Sequence, residues 1–465
     1  MTLTASTPRS RSARLSPQAR QRCADIAHQI LQRIGDTALL EGHVARSMEQ
    51  SDHGGWHVAT LAQGHAGLAL AHAVLSGAHY DHTVAVAHRD SASLYLRAAV
   101  EGTADDPLHT PSLCSGTAGL VLAAEVCVSA EPRFAPALTG LRSSFLNQVA
   151  EHPALEVQAE ITDLDYDFMS GRAGVLAYAA QPQAQDSDAA TALPAVSRLI
   201  EDLVWAGSRD SNEPHLWRWM INRDTAVSLS LQDESFPDNF LNLSVSHGLA
   251  AISGSLAMAA VNDQRQIQRV APLLEMHADW LVRRAERDAE GALVWPTGYS
   301  VDAAGVEHRH GEANLASTWC YGGAGIAMAL DNIAVALNDA KLAKLASASM
   351  RQHLQRALDW SSPVANLCHG AAGNVLLTME LASRLGDDTY DQALEEQVVA
   401  LIGRADSNLP LLYDDLESGT TRVDQPGLLN GASGVALVLA TAAAPNRPAW
   451  ANTWMMSPAS GAAGE

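Results

Sequence analysis

The sequence predicts an all-α fold in which seven helical repeats close into an α/α toroid, a double ring of inner and outer helices. Two observations predict it: the composition and a recurring glycine pattern. Apolar residues make up 47% of the 465 residues, and aromatic residues only 5%. Much of the apolar share is alanine, which favours closely packed helices, whereas sheets are enriched in β-branched and aromatic residues. The composition therefore favours helices over sheets.

The recurring pattern is Gly-x-x-Gly, or a near variant, followed by an apolar, alanine-rich run. Its leading glycines are Gly64, Gly116, Gly171, Gly248, Gly322, Gly370 and Gly431. The fourth copy departs from the pattern, with Ala251 where the second glycine would fall. Each run predicts a buried inner helix, because it is apolar almost all round. The glycines predict a tight turn and a close backbone approach. Seven copies in similar register disfavour the alternative, chance recurrence in an alanine-rich chain.

Amphipathic segments between these runs predict the outer helices. PQARQRCADIAHQILQRIGD and QRVAPLLEMHADWLVRRAERD, for example, carry charges on one face and apolar residues on the other. A closed ring of such pairs needs no capping repeats. We expect the toroid to span residues 19–444, after a disordered segment at 1–18 and before a flexible tail at 445–465. Longer intervals at 181–242 and 288–317 predict rim loops that contact a substrate.

Charge and cysteine usage restrict the partners and the compartment. The formal net charge of −22 disfavours binding to nucleic acid and to anionic membranes. Five widely spaced cysteines do not form the pattern of a disulfide framework. The N-terminal arginines precede no apolar stretch, and no run is long enough to span a bilayer. We therefore expect a cytoplasmic protein with no nucleic-acid partner and no membrane insertion.

Two neighbouring glycine turns carry strong metal ligands. Cys320 stands two residues before Gly322, and Cys368 and His369 stand directly before Gly370. Consecutive repeats in a ring would place these turns side by side, so that two thiolates and one imidazole meet. This soft donor set favours zinc, and three protein ligands leave a fourth position open, as in catalytic zinc sites. The alternative is two ordinary buried cysteines and a hydrogen-bonded histidine.

An open zinc position would activate a thiol. We expect one zinc ion per chain; a substrate thiol bound to it would lose its proton and stay nucleophilic. Addition of that sulfur to an activated double bond then needs a proton donor. His247 and Asp167, just before two further glycine turns, are the candidates, with a structural hydrogen bond and a helix cap as their alternatives. Tyr321 is a candidate to bond near the reacting carbonyl, Trp319 to pack the loop, and His65 is a weaker acid–base candidate.

The motifs WCYGGAG, CHGAAG and SHG resemble those of the lanthionine synthetase C-like family, the lanthipeptide cyclases. The resemblance runs from about Gly54 to Ala444 through the seven turns. It implies an α,α-toroid and an intramolecular Michael addition, in which a cysteine thiol of a dehydrated precursor peptide attacks a dehydroalanine or dehydrobutyrine and closes a (methyl)lanthionine ring. The zinc ligands it implies are Cys320, Cys368 and His369. It also implies acid–base roles for His247 and Asp167, and a place near zinc for Tyr321.

The resemblance also implies a partner, and it has departures. The chain leaves no room for a dehydratase domain, so a separate dehydratase is implied. Family members often carry an arginine four residues before the first zinc cysteine, where this chain has Ala316. Arg309 is a nearby cation that could substitute for it. The alanine in the fourth glycine turn is a milder departure.

Three other functions compete with the cyclase. The first is an enzyme of the same scaffold that adds glutathione or another small thiol to dehydrated protein residues. The second is a non-catalytic, zinc-containing scaffold that binds peptides, which the presence of both acid–base candidates disfavours. The third is an α/α-barrel glycosidase, which would need paired carboxylates on the rim and gives no reason for two cysteines and a histidine.

Overall fold

Inner and outer helices alternate along the chain, which confirms the predicted toroid. The computed structural model describes residues 15–51, 55–158, 160–182, 189–224, 239–302, 304–313, 318–359, 364–417 and 421–458. Within these ranges the outer helices are Pro17–Ile34, His82–Gly102, Ala135–Glu151, Ala189–Gly207, Ile267–Arg284, Ala340–Asp359 and Asp391–Gly403. The inner helices are His65–Ala78, Thr117–Ala130, Arg172–Ala179, Leu249–Asn262, Gly323–Leu337, Ala371–Leu385 and Ala432–Ala443. Both sets are counted from the N-terminus.

The difference between the two sets follows from their sequences. The fourth inner helix buries every residue from Leu249 to Val261, because it is apolar on all sides. The fifth outer helix buries only one stripe, which includes Val270, Leu274 and Leu281, and its charged residues lie on the other face. Outer helices therefore shield the inner ring from water.

The ring is closed by elements from opposite ends of the chain. The seventh inner helix packs against the first inner helix and against the first outer helix. Ser16 caps the first outer helix, and its Oγ donates to Glu395 Oε1 of the seventh outer helix at 2.6 Å. No repeat is therefore left as an exposed end of a stack.

Each inner helix begins directly after its leading glycine, as the sequence predicts. Only Gly322 has a left-handed backbone conformation, with φ at 121°. At the other turns the reason for glycine is space. A Cβ on Gly116 would lie 2.2 Å from the Thr110 carbonyl oxygen, and one on Gly67 would lie 2.3 Å from the Leu61 carbonyl oxygen. The glycines therefore let the turn fold tightly against the start of its helix.

Two glycines of the first inner helix provide a matched test of this explanation. We expect Gly67→Ala to lower the free energy of unfolding by about 1–3 kcal/mol, because the added methyl overlaps backbone. Gly77 has nothing within 4 Å of the position of a Cβ, so Gly77→Ala should raise that free energy by up to about 1 kcal/mol through helix propensity. Urea unfolding measures both. Equal effects of the two variants would contradict the steric explanation.

The two long intervals differ from the loops that the sequence predicts. Much of the first forms the fourth outer helix, since residues 189–207 have an apolar stripe at helical spacing. The remainder joins the second interval in one antiparallel sheet with the strand order Ile221–Asn222, Asn239–Asn242, Pro296–Val301 and Glu307–Ala313. Two smaller sheets pair Glu286–Arg287 with Leu293–Val294, and Asp415–Glu417 with Thr421–Val423. The four-stranded sheet leads directly into the fourth glycine turn.

Part of the predicted flexible tail, residues 445–465, is structured, whereas residues 459–465 lie outside the described residues. Residues 449–454 form a short helix, and Trp450 and Trp454 are each only 1% exposed. The Met456 carbonyl accepts a hydrogen bond from Asn332 Nδ2 at 2.9 Å, and the Ser457 carbonyl accepts one from Gln181 Nε2 at 3.2 Å. Aromatic side chains thus bury the segment among the inner helices. We call residues 449–457 the C-terminal plug.

The N-terminal boundary also differs from the prediction within the described residues. Leu15 is buried, and the first outer helix begins at Pro17 rather than after residue 18. The rest of the predicted disordered segment, residues 1–14, lies outside the described residues. In the described ranges, the structure contains no helix that is both long enough and apolar enough to cross a bilayer.

Buried histidines make the stability of the fold depend on pH. His277 and His353 are fully buried, and burial lowers the pKa of each from 6.5 to about 4. A hydrogen bond to a backbone carbonyl acts to raise each pKa, but burial has the larger effect. Between these pH values the unfolded chain binds protons that the folded chain does not, so acid favours unfolding. We expect the free energy of unfolding to fall by about 1.4 kcal/mol per histidine per pH unit as pH drops from about 6.5 towards 4.

His353→Gln tests this pH dependence. The amide can still donate to the Leu293 carbonyl, which His353 Nε2 meets at 2.9 Å, but it does not titrate. Urea unfolding at a series of pH values should therefore show a shallower acid slope in the variant. An unchanged slope would show that His353 does not titrate with unfolding.

Candidate metal centre and acid–base pair

The glycine turns lie side by side on one rim, joined by backbone hydrogen bonds from turn to turn. Amide–carbonyl bonds of 2.8–3.1 Å link neighbouring turns through the pairs Ala62–Cys114, Cys114–Met169, Phe168–Ser246, Val245–Cys320, Cys368–Leu429 and Leu428–Ala62. Between the fifth and sixth turns, the sulfurs of Cys320 and Cys368 lie within 4.8 Å of each other. We call this ring of turns the turn belt. It places every predicted site residue on the same rim.

The three predicted metal ligands converge in the turn belt. Single donor atoms of Cys320, Cys368 and His369 all lie within 4.8 Å of one another. Cys320 is buried, Cys368 is half-buried and His369 is exposed. The cluster therefore faces solvent on its histidine side, and a molecule from solution can approach it there.

The two cysteines shift each other's pKa in opposite directions. The interaction with the Cys368 thiol lowers the pKa of Cys320, although burial raises it. The interaction with Cys320, together with burial, raises the pKa of Cys368. Cys320 also precedes the N-terminus of the fifth inner helix, where the partial positive charge favours a thiolate.

The donor set fits a zinc ion. Two sulfurs and one imidazole are soft ligands of the kind that zinc prefers over magnesium or calcium. Three protein donors match the ligand count of catalytic zinc sites. Asn366 supports the histidine: its Oδ1 accepts from the His369 amide at 3.0 Å, its Nδ2 lies 3.3 Å from His369 Nε2, and Nδ2 also donates to Asp415 Oδ1 at 2.8 Å.

His247 and Asp167 form a pair on the two preceding turns. His247 Nδ1 lies 2.6 Å from Asp167 Oδ2. The carboxylate is completely buried, whereas the imidazole is 18% exposed. Because Nδ1 is held by the carboxylate, Nε2 is the atom of His247 that remains for proton exchange with a bound molecule.

The environment of the pair raises the pKa of His247. Burial alone would lower this pKa, but the hydrogen bond and the charge of Asp167, together with the charges of Asp163 and Cys320, outweigh it. Asp163 belongs to the same group, since its carboxylate lies within 4.8 Å of the donor atoms of Asp167 and His247. The imidazole of His247 therefore stays protonated to a higher pH than that of an ordinary histidine.

Asp167 also fills the alternative role that the sequence allowed. Its Oδ1 accepts from the amides of Ser170 and Gly171 at 2.7 and 2.8 Å, at the start of the third inner helix. One carboxylate oxygen thus caps the turn while the other holds His247. The cap fixes the carboxylate in position for the histidine.

The remaining predicted residues divide between the site and its surroundings. Tyr321 lies near the pair: its ring centre is 6.5 Å from that of His247, and Asn242 Nδ2 donates to its hydroxyl at 3.0 Å. Trp319 is buried beneath the cluster and packs, as expected. His65 packs against Trp56 and Tyr95.

The departure at Ala316 lies outside the described residues. Arg309, the cation that was expected to substitute, lies on a strand and forms an ion pair with Glu286 at 2.8 Å. The guanidinium of Arg309 is thus paired with the carboxylate of Glu286.

Several residues of the site were missed from the sequence, although one signal was present. A polar residue stands four positions before most leading glycines, and its side chain accepts from the turn's backbone: Ser112, Asp167, Ser244 and Asn366 do so. Reading this position across the repeats would have found Asn366. Asp415 and Asn242 come from strands outside the pattern.

Comparison with known proteins identifies the class. The model of the family described as "Lanthionine synthetase C-like protein" matches residues 55–455. The chain is 26% identical over 349 residues to "Nisin biosynthesis protein NisC" of Lactococcus lactis subsp. lactis, covering 74% of this chain and 77% of that protein. A solved structure described as "Nisin cyclase" covers 90% of this chain and 96% of its own, with a TM-score of 0.69 at 22% identity.

The family match and the curated relative place the chain among the thioether-forming cyclases, and the solved structure shows the same fold. The chain belongs to the lanthionine synthetase C-like protein family, because the family model matches most of its length.

Proposed function

We propose that the protein is a zinc-dependent lanthipeptide cyclase. One observation carries the proposal: a Cys–Cys–His cluster and a His–Asp pair lie on neighbouring turns of one solvent-facing rim. Cys320, Cys368 and His369 would hold the zinc ion. When bound, zinc would acidify the cysteine thiol of a dehydrated precursor peptide and supply it as a thiolate.

The reaction joins two groups of the same peptide. The thiolate sulfur bonds to the β-carbon of dehydroalanine or dehydrobutyrine, the carbon–carbon double bond opens, and the α-carbon receives a proton. Because the thiol proton is lost and one proton is gained, the peptide mass does not change. The product is a lanthionine or methyllanthionine ring.

His247 is the proton donor in this proposal. Asp167 holds Nδ1 at 2.6 Å, so the proton moves at Nε2. The raised pKa of His247 favours the protonated imidazole, which suits donation to the enolate. In this proposal Tyr321, whose hydroxyl accepts from Asn242 Nδ2, bonds the carbonyl oxygen of the enolate.

The wider setting follows from the same reaction. The substrate must arrive already dehydrated, so we propose a separate dehydratase as a partner. Free thiolates and a thiolate-held metal persist in a reducing compartment, and we propose the cytoplasm. The four-stranded sheet, which leads into the turn of His247, is the part of the rim that we expect the peptide to meet.

Incubation with a dehydrated peptide tests the function. We expect the peptide to lose reactivity towards a thiol-alkylating reagent while its mass stays constant, as mass spectrometry measures. A mass gain of one glutathione, when glutathione is supplied, would instead favour addition of a small external thiol. Persistent alkylation would exclude the cyclase, and persistent alkylation without any mass gain would leave a peptide-binding scaffold.

A further inference from the structure

The C-terminal plug contacts two aromatic residues that adjoin the site along the chain. Trp454 stacks on Trp319, with ring centres 5.0 Å apart and planes at 28°. It also contacts the ring of Phe168 edge-on, with ring centres 5.9 Å apart and planes at 83°. Phe168 and Trp319 pack on each other at 5.1 Å. All three rings are almost completely buried.

Each partner of Trp454 is the chain neighbour of a site residue. Trp319 directly precedes Cys320, and Phe168 directly follows Asp167. The Phe168 amide also donates to the Ser246 carbonyl at 3.0 Å, one residue before His247. The chain segments that carry Cys320 and Asp167 therefore share one cluster of three rings, in which Trp454 contacts both of the other rings.

The plug itself is held by the inner ring. Asn332 donates to the Met456 carbonyl, Gln181 donates to the Ser457 carbonyl, and Ser457 Oγ donates to Glu380 Oε1 at 2.5 Å. These partners come from the fifth inner helix, the end of the third and the sixth. The position of Trp454 is therefore fixed by the ring rather than by the loops it supports.

We infer that Trp454 is a positioning residue, which sets the separation between the metal cluster and the His247–Asp167 pair. The inference rests on the proposed function, since the reaction needs the sulfur and the proton donor on either side of one double bond. Misplacing reacting groups by about 1 Å can cost about 10²-fold in rate. A buried ring shared by both loops is a direct means of preventing that displacement.

Trp450 provides a matched control in the same helix. It is as buried as Trp454, but its indole N–H donates to Thr441 Oγ1 at 3.1 Å, on the seventh inner helix. Its ring centre lies 6.4 Å from that of Trp454. Replacing either tryptophan removes similar buried area, so both leucine variants should melt at a lower temperature. Of the two changes, only that at Trp454 removes the ring that contacts Trp319 and Phe168.

Three measurements on the full chain test the inference. With zinc and a dehydrated peptide, we expect Trp454→Leu to lower kcat about tenfold to hundredfold with little change in KM, and Trp450→Leu to leave kcat within about twofold. With cobalt(II) in place of zinc, the absorption bands of Trp454→Leu should shift, whereas those of Trp450→Leu should match the wild type. Both variants should still bind about one metal per chain.

The outcomes separate the two proposals. Identical kcat values and cobalt spectra in the two variants would overturn the positioning role and leave only a packing role. If Trp454→Leu does not fold, Trp454→Phe, which keeps an aromatic ring, should show a smaller shift in the same direction, and an unshifted spectrum would again overturn the inference. If the wild type does not cyclise peptides, the proposed function fails, and the cobalt spectra still decide whether Trp454 positions the cluster.

Discussion

Cys320→Ala should abolish both zinc binding and thioether formation. The substitution removes the buried sulfur that lies within 4.8 Å of the donor atoms of Cys368 and His369. Loss of an outer-shell contact already costs about 10–100-fold in metal affinity or activity, and loss of a ligand should cost more. Metal analysis of the purified variant should find well under one zinc per chain, where the wild type carries about one.

Cys114→Ala is the matched control for this prediction. Cys114 occupies the equivalent place in the second turn, two residues before Gly116, and is also buried. It lies outside the three-residue cluster, so the variant should keep its zinc and its activity. Asn366→Ala removes the hydrogen bonds that support His369, so its zinc content and activity should lie between those of Cys320→Ala and Cys114→Ala. Full zinc in Cys320→Ala would refute the ligand assignment.

His247→Asn should retain zinc and lose most of the activity. Removing a general acid typically costs about 10²–10⁴-fold in rate, and the structure gives this imidazole a dedicated carboxylate at 2.6 Å. His65→Asn is the control, because His65 also adjoins a leading glycine but packs on Trp56 and Tyr95. Steady-state rates with a dehydrated peptide measure both. Unchanged rates in His247→Asn would exclude the proton-donor role.

The pH profile identifies the direction of proton transfer. Asp167 holds the pKa of His247 above its usual value, so a reaction that needs the protonated imidazole should slow as pH rises through that raised pKa. Asp167→Asn removes the charge that raises it, and the falling limb should move to lower pH. A rate that instead rises with pH over this range would mean that His247 accepts a proton.

Local chemistry was readable from the sequence, and long-range packing was not. Each leading glycine is followed at once by an apolar run, so the inner helices and their starts could be predicted from neighbouring residues. The convergence of Cys320 with Cys368 followed from the repeat order alone. The plug could not be predicted, because Trp454 looks like an ordinary tail residue until the ring supplies Trp319 and Phe168 as its neighbours.

The same reason explains the other differences. Strands such as Ile221–Asn222 are too short to show a period of two, and their pairing depends on partners far along the chain. Asp415 reaches Asn366 across 49 residues, with no shared motif to connect them. The repeat pattern predicts which side chains each turn brings to the site. Contacts from residues outside the pattern can be identified only from the three-dimensional structure.

The closure of the ring has a consequence for how the chain is made. Ser16 meets Glu395 across 379 positions of sequence, and the first outer helix packs on the seventh inner helix. Until the ribosome has made the seventh inner helix, the first outer helix cannot pack against it, and the apolar stripe of the first outer helix remains exposed to water. Contacts of such high sequence separation form slowly, and unfinished chains with exposed apolar surface tend to aggregate. We therefore expect an unfinished chain that lacks the seventh inner helix to aggregate more readily than the closed ring.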